Sequence, residues 1–442
     1  MNREEFALNP GRPLAILIAV MILAGSASAA GPLLVIHRFQ GASDGENPAG
    51  NLIADKAGNL YGTTEYGGVS GYYGTVFQLA PPAQPGDGWT ETTLYTFRNQ
   101  GDGARPTAGL VFDSAGNLYG TTSDSNAGGY GEIFQLAPPS TKGGSWTETV
   151  LYHFQGGTDG AYPYGGLIFD PAGNLYGTTE SSVFELSPPT APAGIWTFTL
   201  IHDFTCCTSD GWNSVAGLVR DPQGNLYGTT EWGGAYTGVY CDYLGCGTVF
   251  EVSPPSAQGG AWSEKVLYAF GGQPDGLNPF SGLALDQAGN LYGTTYGGGI
   301  FEGGMAFQLA PPAQPGAPWT ETVIHNFSYS AKDGAVPLGT LIFGPSGNLY
   351  GTTAFGGNPC VFNTTAYGCG VVFQLAPPST QGAAWTETLL YLFTTFAFGP
   401  REPVAGLTFG QAGNLYGATA YGGYDGCSEE GLGCGTVFKI SR

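Results

Sequence analysis

Positive charge is scarce in this chain: 13 Lys and Arg stand against 34 Asp and Glu in 442 residues, a formal net charge of −21. A surface of that sign repels phosphate, so nucleic acid and anionic membranes are excluded as partners. Histidine occurs four times and no Cys-x-x-Cys pair is present, so no zinc site completes its four ligands. Beyond the first thirty residues there is no helical periodicity. No apolar run there reaches the roughly 20 residues a membrane-spanning helix needs. What is abundant is Gly, at 76 residues well over twice its ordinary share of about 7%. Disordered chains are also Gly-rich, but they lack the 26 Phe, 25 Tyr and 8 Trp found here. The glycines are therefore positional.

Residues 1–30 are set apart by composition. Arg3 and Arg12 precede the apolar run "LAILIAVMILAG", and the small residues of "SASAA" follow it. This is the layout of a secretory signal peptide, with cleavage expected after Ala29 or Ala30. Residues 31–442 are expected to form one domain, secreted, periplasmic or at the cell surface of a bacterium. No Cys near the cleavage site suggests a lipid anchor, and "GTVFKISR" follows a strand pattern directly, so no C-terminal anchor is expected. A monomer is expected.

The string "GNLYGTT" begins at Gly58 and returns at Gly116, Gly173, Gly224, Gly289 and Gly347; "GNLYGAT" begins at Gly413. A unit repeated at a period of about 50 to 65 residues builds a fold rather than a single active centre. In the second copy "GLVFD" is a short β-prone run, and "DSAG" is a turn in which Gly116 takes positive φ while Asp113 accepts backbone N–H groups. "NLYGTT" returns as a hairpin strand, "EIFQL" is a third strand, and the prolines of "APPSTKGGS" end it. "WTETVLYHF" is a fourth, alternating Trp146, Glu148, Val150 and Tyr152 against Thr147, Thr149, Leu151 and His153. Four antiparallel strands repeated radially make a propeller blade. "LLVIHRF", 33–39, matches a fourth strand, whereas the last copy supplies only strands one to three. The expected architecture is all-β: a seven-bladed propeller of four-stranded antiparallel blades, closed by strand 33–39 in the last blade. Closure removes two exposed sheet edges. Gly62 and its equivalents suggest close approach by a neighbouring sheet, and the Tyr61 and Phe77 series fills the space between blades.

With "GNLYGTT", a "GTVFQL"-like strand and an "LYxF" strand, the chain resembles the GloVer (Gloeobacter/Verrucomicrobia) tandem-repeat family of secreted bacterial proteins. The resemblance covers nearly all of residues 33–440. It implies export and tandem β repeats, and it offers no catalytic residues to carry over. Many relatives end in a surface-sorting tail, which is not seen here. "DSAGNLYGTT" is also similar to the Asp-x-x-Gly-Asn turn of other propeller repeats, including those of streptogramin lyases; a shared turn does not share an active site.

Sequence variation concentrates in the loops joining strands two to three, which in a propeller share a face with the loops joining successive blades. They carry Tyr66, Tyr72, Tyr73, Trp232, Tyr236, Tyr240, Tyr243, Tyr296, Phe355, Tyr367, Tyr421 and Tyr424. Aromatic rings beside carboxylates suit stacking on sugar faces or anchoring a protein; the alternative is that the rings pack on each other. Cys241 with Cys246, Cys360 with Cys369 and Cys427 with Cys434 fall within single loops, and local disulfides are the simplest pairing. The adjacent Cys206 and Cys207 either bond to each other or pair elsewhere. Asp-Gly precedes the first strand at Asp44, Asp102, Asp159, Asp210, Asp275 and Asp333. These carboxylates are expected to cap turns; a ring holding calcium is the alternative. His37, His202 and His325 take the place of Tyr95, Tyr152, Tyr268 and Tyr391, and His153 lies one residue along, so none is expected to be catalytic. For an enzyme, Glu65, Glu180 and Glu231 after "GTT" are the acids to consider, as an acid and base for polysaccharide cleavage. Arg220 stands where other blades have Phe112, Phe169 or Leu285, and either lines the channel or forms a salt bridge. The favoured function is a non-enzymatic exported propeller binding a glycan or extracellular protein through the variable face, without a cofactor. A glycoside hydrolase or lyase, and a structural envelope protein, are the alternatives.

Overall fold

"LYGTT" has no polar stripe for water, which suits a strand covered on both faces. In the computed structural model all five residues of Leu60–Thr64 are buried, as they are in the equivalent strand of every other blade where five residues pair. The structure describes residues 32–442 apart from 70–71, 85, 126–128, 142, 192–193, 207–208, 236–240, 242, 258, 315, 363–364, 381, 395–398, 425–426 and 428–432. Seven four-stranded antiparallel sheets form the blades. Blade 1 runs Ile53–Ala54, Leu60–Thr64, Thr75–Ala80 and Thr90–Thr96 from first to fourth strand. Blade 7 takes Thr408–Phe409, Leu415–Thr419 and Thr436–Ile440 from the end of the chain. Its fourth strand is Leu33–Arg38, paired Leu33 to Ile440 and Arg38 to Thr436. The expected closure is present.

Two inter-blade contacts recur. The Phe ending each fourth strand meets the third-strand Phe of the next blade: Phe39–Phe77, Phe97–Phe134, Phe154–Phe184, Phe204–Phe250, Phe270–Phe307, Phe327–Phe373 and Phe393–Phe438, with centroids 5.0–5.5 Å apart. Thr63, Thr121, Thr178, Thr229, Thr294 and Thr352 each donate their hydroxyl to a backbone carbonyl of the following blade at 2.8–3.4 Å. A Cβ on Gly62 would stand 2.7 Å from Phe77 and 2.8 Å from Leu52. Both belong to the glycine's own blade, so the space is kept for a ring of the same sheet and not for the neighbouring sheet.

The strict alternation expected for the fourth strand is broken. Every blade slips register there, in blade 2 between Ile133 paired with Tyr152 and Phe134 paired with Val150. The bulge adds twist, and Val150, Leu151 and Tyr152 are all half-buried in consequence. On one rim Asp55 accepts from the Ala57 and Asn59 amides, Asn59 Nδ2 and the Tyr61 hydroxyl at 2.7–3.1 Å. Gly58 takes φ 87° to close this turn. On the other rim the strand-two-to-three loop pairs with the blade-entry loop, as at Glu46 with Tyr66 and Trp212 with Trp232.

The Asp-Gly carboxylates cap their turns. Asp102 accepts the Gln100 amide at 2.9 Å and the Tyr95 hydroxyl at 2.9 Å, and Asp333 takes Ser328 Oγ and the Gly334 amide. His37, His202 and His325 meet Asp44, Asp210 and Asp333 at 3.1–3.2 Å. A fourth-strand Glu of the next blade then closes on the same spot; Glu387 lies 3.8 Å from His325. Burial pushes Glu148, Glu264, Glu321 and Glu387 up to about 7, with the neighbouring Asp adding to it. Burial works to lower His202 and His325, but their Asp partners and the adjacent Glu outweigh it and both are raised.

Two outcomes follow from this packing. Phe39 is fully buried at the seam, and Phe39→Ala should lower unfolding stability by about 3–5 kcal/mol, read as a fall in the urea midpoint by circular dichroism. Groups raised in the folded state contribute stability that is present below their unfolded values and lost as pH climbs through the folded ones. For the four Glu residues that window runs from 4.5 to about 7, and the raised histidines extend it upward from 6.5. The urea midpoint should therefore be higher at about pH 5.5 than at about pH 8, and the difference should shrink in the Glu264→Gln, Glu387→Gln double variant.

Candidate functional site

Each blade-entry loop ends in an Asp-Gly-x-X-Pro frame or a close variant, and the residue before Pro, or before Ser214 in blade 4, is held in a left-handed conformation. Asn47, Arg105, Tyr162, Asn213, Asn278, Val336 and Glu402 have φ of 53–61°. Non-glycine residues avoid this region, and for Val it is an outlier. The carbonyls of Asn47, Arg105, Asn213, Asn278, Val336 and Glu402 accept the amide of the residue after "GTT" or its counterpart at 2.9–3.1 Å. In blade 3 Ala161 does this for Glu180. The frame thus sets two variable side chains of each blade next to each other on the variable face. In blade 1 Asn47 Nδ2 donates to Glu65 Oε2 at 2.9 Å, and in blade 4 Asn213 Nδ2 donates to Glu231 Oε2 at 2.5 Å. Sequence reasoning found the Glu members and missed the Asn members. Their signal was a variable letter inside a constant frame.

On the propeller axis these loops enclose a cavity of about 580 Å³. Much of its wall is made of small residues and backbone, such as Gly50, Ala108, Gly109, Gly165, Gly166, Ala216, Gly217, Ser281, Gly282 and Gly339. At Gly50 there is no room for a side chain: a Cβ there would stand 2.4 Å from the Ala108 carbonyl. The rim is unequal. Asn213, Glu231 and Trp232 from blade 4 stand beside Phe280, with Tyr164 of blade 3 also on it. Glu231 is the one carboxylate among the described lining residues; burial raises it and the Asn213 hydrogen bond lowers it, with a net rise. Burial likewise raises Glu65 and Glu180, which do not line this cavity.

A second hollow of about 170 Å³ lies between blades 7 and 1, lined by Glu46, Asn47, Tyr66, Ala420, Tyr421, Cys427 and Gly433. The remaining aromatic candidates are spread apart. Tyr72 is exposed, whereas Tyr73 packs into the core between blades 1 and 2. Tyr296 is exposed, and Phe355 and Tyr329 lie 5.9 and 6.1 Å from Tyr367. Tyr236 and Tyr240 fall outside the described residues. The Arg220 guanidinium lies close against Gly224, in the turn on the opposite rim, and does not line the cavity.

The disulfides Cys241–Cys246, Cys360–Cys369 and Cys427–Cys434 are formed as expected and fit an oxidising compartment. Cys206 is also disulfide-bonded; Cys207 lies outside the described residues. Among those residues no helix is long and apolar enough to cross a membrane. The donor atoms of His202, Asp210 and Glu264, and of His325, Asp333 and Glu387, lie within 4.8 Å of one another. Both groups sit between blades, away from the central cavity, whose wall contains none of the six Asp-Gly carboxylates.

By structure, the chain is similar to a carbohydrate-active enzyme of family AA12 from Trichoderma reesei, at 14% identity and a TM-score of 0.43 over 94% of this chain and 96% of that one. It is also similar to the PQQ domain of a pyranose dehydrogenase from Coprinopsis cinerea, at 12% identity and a TM-score of 0.41 over 93% and 97%. PorZ of Porphyromonas gingivalis gives 13% identity and a TM-score of 0.43 over 82% of this chain and 44% of that one. A comparison with curated protein sequences finds no match. The sequence model of the Gloeobacter/Verrucomicrobia repeat matches residues 25–183 and 180–426, and the chain belongs to that family.

Proposed function

We propose that this protein is an exported, non-enzymatic binding propeller whose axial cavity takes a glycan. The observation that carries this reading is the unequal rim. Seven nearly identical blades would make a symmetric funnel, yet Trp232, the Asn213–Glu231 pair, Phe280 and Tyr164 gather on one part of it. An indole beside a fixed amide and carboxylate offers a stacking surface for a sugar ring and hydrogen-bond partners for its hydroxyls. The cavity volume falls within the range of about 300–1,000 Å³ usual for small-molecule sites. Disulfides in the loops of blades 4, 6 and 7 stiffen the same face, which lowers the ordering cost of binding. Hydrolysis is less well supported, because it requires a second carboxyl about 5–9.5 Å from the first and Glu65 and Glu180 stand away from the cavity wall.

On a glycan array followed by calorimetry, Trp232→Ala should weaken the best oligosaccharide ligand by about tenfold or more, equivalent to about 1.4 kcal/mol. Glu231→Gln should weaken it as well, with no change in chain length of the saccharide in either protein. Unchanged affinity in Trp232→Ala would remove the reading, and shortening of the saccharide that Glu231→Gln abolishes would replace it with catalysis.

A further inference from the structure

We propose that the hollow between blades 7 and 1 is a binding site for a primary ammonium group, with Glu46 as its counter-ion and the Tyr66 and Tyr421 rings as its walls. It uses none of the residues of the axial cavity and stands independently of the glycan reading.

The repeat shows that Glu46 is not there for the fold. Its equivalents in the other blades are Ala104, Ala161, Trp212, Leu277, Ala335 and Arg401. One acid has been placed where three blades carry Ala. It is buried, with 9% of its surface exposed, and Oε2 is sealed from solvent without a hydrogen-bond partner. Asn47 Oδ1 beside it is likewise buried and unpartnered, its Nδ2 being committed to Glu65. Unpaired buried acceptors are costly and uncommon in folded proteins, and both residues line the same hollow.

Glu46 Oε2 and Asn47 Oδ1 are two acceptors that take no hydrogen bond from their surroundings. Glu46 lies within 4.8 Å of the Cys427 and Cys434 sulfurs, which are bonded to each other and have no proton to give. Tyr66 already bears the Arg105 guanidinium 5.5 Å from its ring centroid, so this ring accepts cations. A carboxylate, an amide oxygen and two aromatic walls call for a compact cation rich in N–H donors. An ammonium carries three such donors on one nitrogen. A hard metal ion instead needs about six to eight oxygen ligands, which the hollow does not offer. The volume of about 170 Å³ admits the end of a lysine side chain or one amino-sugar ring, and the acidic surface of the whole protein steers cations toward it. Burial pushes the Glu46 carboxyl up to about 7 while the hollow is empty, which an arriving positive charge would reverse.

The two sources of this chemistry are separated by titrating the full mature chain with D-glucosamine, Nα-acetyl-L-lysine amide and, as the neutral control, D-glucose, each to about 10 mM, by NMR and calorimetry. At least one amine should bind with saturation while glucose does not, and whichever binds names the source. Glu46→Gln should weaken that amine at least tenfold and Trp232→Ala should leave it unchanged. Tyr421→Leu, which retains the acid, should weaken it severalfold. The unfolding midpoint of Glu46→Gln should be no lower than that of the wild type, so that loss of binding reports the site and not misfolding. Failure of both amines to bind the wild type, equal binding to Glu46→Gln, or equal binding of glucose would overturn the assignment.

Discussion

The fold depends on one contact made seven times: a Phe at the end of one blade's fourth strand packed against a third-strand Phe of the next, edge-on in six pairs and tilted in Phe327–Phe373. A single blade does not bury its own third-strand ring alone, because the neighbour's Phe covers part of it. The glycine of "GNLYGTT" belongs to the same device, since the ring of Phe77 lies across Gly62 where a Cβ would clash. The first Thr of the motif adds a hydrogen bond across the same boundary. Three letters of the repeat are thus one interlock, and their recurrence reflects a packing requirement repeated around an axis.

That requirement explains where variation is permitted. Strands two and three are buried on both faces, so substitutions there would be felt by two blades at once. The turns below are fixed by Asp55 and its counterparts, each serving several donors. What remains free is the upper rim, and even there the frame is strict: a left-handed residue at the blade entry bonds the residue after "GTT" and places two side chains in register. Changing the letters at those two places alters the chemistry of the rim without touching the interlock. Blades 1 and 4 use an Asn–Glu pair there, whereas blade 6 has Val336 with Ala354.

Much of this was legible because it is local or periodic. The fourth-strand pattern of 33–39 predicted its pairing with the last blade, and Cys pairs five to nine residues apart made bonds within their loops the simplest pairing. Features set by tertiary packing were not legible. The bulge at Leu151 leaves no mark in a sequence that alternates on both sides of it. Tyr73 and Tyr72 are neighbours of one type, yet one joins the core and the other faces water, a choice made by the position of blade 2. Arg220 sits on an innermost strand, yet its guanidinium lies against Gly224 in the turn of the far rim and not on the cavity wall.

The ring is least regular at its seam, and the irregularities have a common origin. Blade 7 combines the two ends of the chain, so it cannot be copied whole from its neighbours. Ala418 replaces the bridging Thr, and Asn51 Oδ1 instead accepts the Gly406 amide at 2.6 Å, with Gln411 Nε2 donating to the Lys56 carbonyl at 3.0 Å. Blades 6 and 7 have Gly344 and Gly410 in place of the turn Asp; Ser346 and Ala412 take the left-handed conformation instead, and the buried Tyr350 hydroxyl is left without a partner. Arg442 lies over that Tyr350 ring at 4.7 Å. Contacts specific to the two sides of blade 7 therefore supplement the repeating ones, and side chains freed from the repeat's constraints become available for other chemistry. Glu46 and Tyr421 stand at this boundary, beside the Cys427–Cys434 bridge, where the departure from the repeat is greatest.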